Sequence, residues 1–271
     1  MSSSPGHVTF IGAGPGAADL ITLRGARALG RAQVVLFDAL TDPALREFAP
    51  QAEWIDVGKR GFCDSTAQTR IDALLVQHAL GGASVARLKG GDPSVFGRLE
   101  EELLALQAAG ISFEVIPGVT AALAAAAATA RPLTRRGNGR SVALSTAMTR
   151  DKELLASRNA DTEVYYMAGR QLAGLSRRLL GAGWPGETPV SVVSRAGWPD
   201  QLASEHSVET LAGACVLHAG RPAVVTVGVG ASAVRPSAAL PPAASATAAR
   251  SARRPADSAR KGLEPAAAHK P

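Results

Sequence analysis

The sequence predicts an α/β protein made of two successive α/β domains, the first built on a mostly parallel sheet, with a ligand cleft between them. Three observations carry this reading. Over the first 130 residues, short aliphatic and β-branched runs alternate with helical stretches, the pattern of a parallel sheet covered by helices on both faces. The basic, loop-like segment Arg135-Arg136-Gly137-Asn138-Gly139-Arg140 then breaks the alternation. Strand-like runs resume beyond it, and a second domain in series leaves a cleft of the kind that holds small molecules.

In chain order, Val8 to Ile11 is a candidate strand, followed by Gly12-Ala13-Gly14-Pro15-Gly16. A helix is expected from a cap near Asp19 to about Leu29, with Leu20, Leu23, Ala26 and Leu29 on one face. Val34 to Phe37 is the second strand, ending at Asp38, and Trp54 to Val57 the third. Ile71 to Leu80 reads as a helix closed by Gly81-Gly82. Val85 to Leu88 is the fourth strand and runs into Lys89-Gly90-Gly91-Asp92-Pro93. Glu100 to Ala109 is helical, Phe113 to Ile116 is the fifth strand, and after Pro117-Gly118 a helix covers Thr120 to Ala130. Beyond the basic segment the strands are Ser141 to Thr146, Thr162 to Met167, Pro189 to Val193 and Val224 to Val227, with a helix at about Leu172 to Ala182. The expected organisation is a flexible N-terminus (1–6), an N-terminal α/β domain (7–134), a C-terminal α/β domain (135–231) and a tail (232–271).

Composition narrows the function classes. With 271 residues, 46% of them hydrophobic and 19% charged, the chain can bury real cores and is not a disordered protein. The longest run without strongly polar residues, near 119–130, falls well short of the roughly 20 residues that span a bilayer, so no membrane association is expected. No basic region precedes an apolar core at the start of the chain, which predicts no secretory signal and a cytoplasmic protein. Cys63 and Cys215 lack C-x-x-C spacing and the five histidines lack an i, i+4 pair, so neither a disulfide framework nor a metal site is expected. Of the net charge of +6, +5 lies in the tail, which has 14 Ala and 6 Pro among 40 residues and no aromatic residue. Such a segment buries too little apolar surface to offset its ordering entropy, and the nearly neutral body argues against a nucleic-acid partner.

The glycine-rich and acidic positions fall after predicted strands, where parallel sheets bind ligands beside helix N-termini. Gly12 to Gly16 with Asp38 about 22 residues on approaches a dinucleotide fingerprint, but Ala17 stands where its third glycine belongs and Pro15 removes an amide donor. A nicotinamide-dependent oxidoreductase is therefore one reading. Two further loops, Lys89 to Pro93 and Ile116 to Thr120, follow other strands, so three glycine-containing loops crowd one sheet edge. With no G-x-x-x-x-G-K-[ST] motif, they suggest a nucleoside held largely by backbone contacts rather than a triphosphate.

The ordered set Gly12-Ala-Gly-Pro-Gly16, Val34-Val-Leu-Phe-Asp38, Val57-Gly-Lys-Arg60, Arg87-Leu-Lys-Gly-Gly-Asp-Pro93, Phe96-Gly-Arg98, Pro117-Gly-Val-Thr120, Pro132-Leu-Thr-Arg135 and Tyr165-Tyr-Met167 resembles the tetrapyrrole methylase superfamily, and within it the branch that methylates uroporphyrinogen III. The similarity runs from about residue 7 to 230. It implies two α/β domains of the tetrapyrrole methylase type with the active-site cleft between them, a homodimer, and S-adenosylmethionine as methyl donor with no metal. The implied reaction is methylation of uroporphyrinogen III at C2 and C7 to precorrin-2, by way of precorrin-1, for sirohaem or cobalamin synthesis. Another corrin methylase of the superfamily is the alternative.

By matching motifs, the resemblance puts Pro15, Gly90, Gly91, Asp92, Val95, Thr120, Ala121, Met167 and Ala196 in the donor site, Asp38 as proton acceptor and Lys59 as proton donor. The substrate carries eight carboxylates, so Lys59, Arg60, Arg87 and Arg98, with Arg135 and Arg136, are the candidates to face it. The chain departs from the family pattern at Ala17-Ala18, Asp64, Thr69-Arg70, Arg135 and Ser194-Arg195-Ala196. It also shows no added N-terminal domain of the fused sirohaem synthases, so its chemistry is expected to end at precorrin-2.

Overall fold

The computed structural model describes residues 5–58, 68–147 and 153–234, which lie in one compact unit closing at Val234. Its first half holds strands β1 (His7–Gly12), β2 (Val34–Phe37), β3 (Glu53–Asp56), β4 (Ser84–Lys89) and β5 (Ser112–Ile116). They form a wholly parallel sheet in the order β3-β2-β4-β1-β5. Side chains alternate across it as the strand period requires. Val8, Phe10, Val34, Leu36 and Val85 pack under helices α2 (Gln68–Leu80) and α3 (Leu99–Ala108), through Ile71, Leu75 and Leu106. On the other face Ile11, Val35, Ala86 and Leu88 meet Leu29 of α1 (Leu23–Leu29) and Leu45 of a 3-10 segment, Pro43–Phe48. The predicted parallel sheet with helices on both faces is what forms.

The second half is mixed. Strands β6 (Val142–Thr146), β7 (Thr162–Tyr166), β8 (Pro189–Ser194), β9 (Leu202–Ser207) and β10 (Ala223–Gly228) lie in the order β6-β7-β10-β8-β9, with only β6 and β7 parallel. One face packs on α5 (Leu172–Gly181) and α6 (Ala214–Leu217) around Tyr165, Leu175, Leu179, Val192 and Val225. The other face receives α4 (Ala121–Ala128) from the first half: Ala122, Ala124 and Ala125 pack with Val164, Val193 and Val224. Seven of the eight α4 residues are alanine, so its backbone can come close to the sheet.

Several boundaries differ from the expectation. The helix placed from Asp19 begins at Leu23 instead, because Thr22 Oγ1 accepts the Gly25 N–H at 3.0 Å and caps it; Asp19 sits in a separate 3-10 turn, Ala18–Leu20. Ahead of that turn Ala17 N–H is committed to the Gly197 carbonyl, 2.9 Å away in the second half. The strand expected to reach Met167 stops at Tyr166, since Met167 adopts φ +57°. Gly6, assigned to a flexible terminus, donates to the Ala79 carbonyl at 2.7 Å. Strand β9 had no forecast at all. The tail from residue 235 and the loop with Lys59 and Arg60 lie outside the described residues.

Candidate functional site

Three loops at the carboxyl edge of the first sheet meet at contacts only glycine permits. A Cβ on Gly12 would stand 2.5 Å from Gly118 Cα and 2.9 Å from the Gly91 carbonyl oxygen. Gly91 N donates to the Gly14 carbonyl at 2.7 Å, and Ala13 N to the Lys89 carbonyl at 2.8 Å. Asp92 ties the set together: Oδ2 accepts from Gly118 N (2.9 Å) and Oδ1 from Ser94 N (2.8 Å). The crowding of three glycine loops read from the sequence is thus a closed backbone network.

Beside this network lies a mostly apolar cavity of about 280 Å³. Its lining includes Pro15, Gly90, Gly91, Asp92, Val95, Thr120, Ala121, Met167 and Ala196, all nine of the positions assigned to the donor site. The second sheet adds residues that the sequence reading did not nominate: Tyr166, Val193, Arg195, Trp198 and the segment Pro222 to Val224. Tyr166 OH shares a 2.7 Å hydrogen bond with Thr120 Oγ1, and its ring lies 5.0 Å from that of Phe96, another lining residue. Trp198 Nε1 donates to the Pro15 carbonyl at 3.1 Å, while the Arg195 guanidinium stacks on the Trp198 ring at 4.3 Å. The pair Tyr165-Tyr166 before Met167 was the available signal for Tyr166. Trp198 had none, because it falls in a loop outside every motif.

Backbone strain gathers here. Of the five non-glycine residues with positive φ among those described, Phe96, Met167 and Arg195 line the cavity and Arg98 borders the groove next to it. Strain of this kind costs on the order of 1–3 kcal/mol per residue and persists where the surroundings over-determine it, often at functional sites. Met167 is 55% exposed, so it is no core side chain.

Asp38 follows β2 at the same edge, two residues before Leu40 of the cavity wall. Its Oδ1 accepts from Arg87 Nη2 at 2.7 Å. Arg87 departs from the expectation that it faces substrate: it is 2% exposed. Its nitrogens are engaged by Glu102 Oε1, Asp38 Oδ1 and the carbonyls of Leu36 and Leu88. Burial acts to lower the Arg87 pKa, but Asp38 and Glu102 outweigh it and hold the value above the ordinary one. The warning lay in position: a central strand reading Val85-Ala-Arg-Leu-Lys89 must bury both cations on one face, and the helical run Glu100-Glu101-Glu102 supplies the acid. Arg98, by contrast, is exposed and forks onto Glu101, with Nε to Oε1 at 2.8 Å and Nη2 to Oε2 at 2.6 Å. Arg136 is exposed, and Arg135 Nη2 donates to the Ser232 carbonyl.

Residues 7–212 match the family of tetrapyrrole (corrin/porphyrin) methylases. The chain belongs to this family. It is 41% identical over 232 residues to a uroporphyrinogen-III C-methyltransferase of Pseudomonas aeruginosa, covering 82% of this chain and 93% of that protein. It is 42% identical to a siroheme synthase of Baumannia cicadellinicola, but spans only 46% of that protein's length. Among solved structures, a uroporphyrin-III C-methyltransferase of Thermus thermophilus complexed with S-adenyl homocysteine superposes with a TM-score of 0.73 at 35% identity, over 83% of this chain and 98% of that one. A cobalt precorrin-4 methyltransferase aligns with the same TM-score at 28% identity, over 83% and 96% of the two chains. The site of this tetrapyrrole methylase fits a nucleoside: apolar walls, one aromatic indole, and glycine loops that bring backbone close to a ligand.

Proposed function

We propose that the chain is an S-adenosylmethionine-dependent C-methyltransferase that converts uroporphyrinogen III to precorrin-2 by way of precorrin-1, methylating C2 and C7. The observation that carries this reading is the convergence of the nine positions carried over from the family motifs on one apolar cavity, with Asp38 two residues before Leu40 of its wall. The similarity to the Pseudomonas methyltransferase over nearly that protein's full length supports the choice of substrate. The donor supplies a methyl group already activated on a sulfonium, to which an electron-rich pyrrole carbon adds.

The protein's part is placement and proton handling. The loops at Gly12 to Gly16, Gly90 to Asp92 and Gly118 to Ala121, with Met167, Ala196 and Trp198, hold the donor and keep water from it. Positioning of this kind contributes on the order of 7–11 kcal/mol. Asp38 accepts the proton released from the methylated ring carbon, and Lys59 serves as proton donor. Lys59, Arg60, Arg98 and Arg136 meet the substrate carboxylates; Arg87, with its hydrogens committed, is left out of that set. The chain is read as two domains, 7–134 and 135–231, working as a cytoplasmic homodimer that feeds sirohaem or cobalamin synthesis. Incubation with uroporphyrinogen III and isotopically labelled donor is expected to add two methyl groups per macrocycle. No transfer to that macrocycle, or thermal protection by NAD(H) and none by S-adenosylhomocysteine, would overturn the proposal.

A further inference from the structure

The charges buried behind Asp38, on Arg87, Lys89 and Glu102, do not line the cavity. Val85, Arg87 and Lys89 alternate onto the face of β4 that α2 and α3 cover, and there Lys89 Nζ reaches Glu102 Oε1 at 2.9 Å and Arg87 Nη2 reaches it at 3.2 Å. Gln68 Nε2, from the first turn of α2, bonds the same oxygen at 3.2 Å. Glu102 is 0% exposed, and its Oε2 has no partner among the described residues. Arg87 makes five contacts: Nε and Nη2 to Glu102, Nη1 to the Leu36 and Leu88 carbonyls, and Nη2 to Asp38. A guanidinium has five N–H hydrogens, so it has no rotational freedom left.

We infer that Arg87, locked by Glu102, is a positioning residue for methyl transfer: it fixes the Asp38 carboxylate through Oδ1 and leaves Oδ2 to take the proton. The inference rests on the reading of Asp38 as proton acceptor. Two cations and two carboxylates balance in this group, which offsets part of the cost of taking them from water. Lysine could not do the same work, because the fork reaches two carbonyls and two carboxylates at once. An acceptor held this way needs no reorganisation when the proton moves.

The test compares full-length wild type, Asp38→Asn, Arg87→Lys, Arg87→Met and the double variant Asp38→Asn/Arg87→Met for methyl transfer, S-adenosylhomocysteine binding and Tm. Arg87→Met is expected to lower kcat about 10²-fold, the usual consequence of a misplaced group. Its S-adenosylhomocysteine Kd should stay within about twofold of wild type, as for an independent site. Arg87→Lys should fall between the two. The double variant should be no slower than the slower single one, since both act through one carboxylate. Wild-type kcat in Arg87→Met while Asp38→Asn is slow overturns the inference, as do losses that multiply in the double variant. Wild-type turnover in Asp38→Asn instead removes the role of Asp38, and this inference with it. Should Arg87→Met fail to fold, Arg87→Lys decides at unchanged Tm: a lowered kcat supports the inference and an unchanged one overturns it.

Discussion

Gly12→Ala is the sharpest probe of the loop network. The new methyl would lie 2.5 Å from both Cα and N of Gly118 and 2.9 Å from the Gly91 carbonyl oxygen, all backbone atoms that cannot swing away. Favourable contact begins at about 3.5 Å, so the end of β1 must part from the turn between β5 and α4 by about 1 Å. Overpacking of this kind costs about 1–3 kcal/mol. In a chain of this size each kcal/mol lowers Tm by about 2–4 °C, which gives a fall on the order of 5 °C. Because both loops border the cavity proposed to hold the donor, the same displacement should reduce methyl transfer about 10²-fold. Calorimetry with and without S-adenosylhomocysteine reads the first effect and the labelled-methyl assay the second. Gly181→Ala is the control: its Cβ meets nothing within 4 Å at the end of α5, so Tm should hold or rise by the equivalent of about 0.5 kcal/mol. Wild-type Tm and wild-type turnover in Gly12→Ala would refute the account of the three loops.

Other outcomes follow from single side chains. Trp198 is the one tryptophan of three that lines the cavity, while Trp54 packs on Phe37 and Trp184 is in the core. S-adenosylhomocysteine should therefore change the intrinsic fluorescence of wild type and leave that of Trp198→Phe unaltered, as a titration will show. His218 is fully buried between Ser194 and Ser204, and burial first, then His206 and Arg221, push its pKa below 6.5. A base with a depressed folded pKa adds stability that is fully present above the unfolded value and is lost as pH falls below about 6.5. Tm should drop over that acid range, and His218→Gln should flatten the dependence. Burial, with a hydrogen bond to Glu163, raises Tyr165 to about 12, and burial raises Tyr166 as well. These are the only two tyrosines. Ultraviolet titration of the folded enzyme should show both phenols ionising at higher pH than in the unfolded chain, Tyr165 near 12, and Tyr165's contribution to stability should decline between pH 10 and about 12.

Where the sequence signalled structure, it did so through period and glycine. Strands β1 and β2 are mainly apolar, β-rich runs that end at a glycine or an acidic residue, and β4 combines Val85, Ala86 and Leu88 with flanking glycines, so their location could be read to within a residue or two. Strand β9, Leu202-Ala-Ser-Glu-His-Ser207, has no apolar face; it is an edge strand that exists because β8 offers it hydrogen bonds, and pairing is invisible to local composition. The start of α1 was missed because Thr22 supplies the side-chain cap, accepting the Gly25 N–H, while Asp19 sits in a separate 3-10 turn. At the site, the glycine motifs carried Pro15, Gly90, Gly91, Asp92 and Thr120. Arg87 was misassigned because charge in a sequence suggests solvent, whereas strand β4 lies at the centre of its sheet. Tyr166, at the end of β7, and Trp198, in the loop between β8 and β9, arrive from the second half, across a distance that no single-window pattern covers.

The alanine helix α4 has one further consequence. By chain order it extends the first sheet, yet its side chains are packed into the second. Swinging the halves apart like the covers of a book would strip Ala122, Ala124 and Ala125 from Val164, Val193 and Val224, exposing a seam buried on both sides. On the proposed reading of the cavity, traffic of cosubstrate in and spent product out would fall to the lining residues Phe96, Arg195 and Met167, which already sit in conformations of raised energy. Attempts to admit bulkier donor analogues should begin with those residues and leave the helical spine untouched.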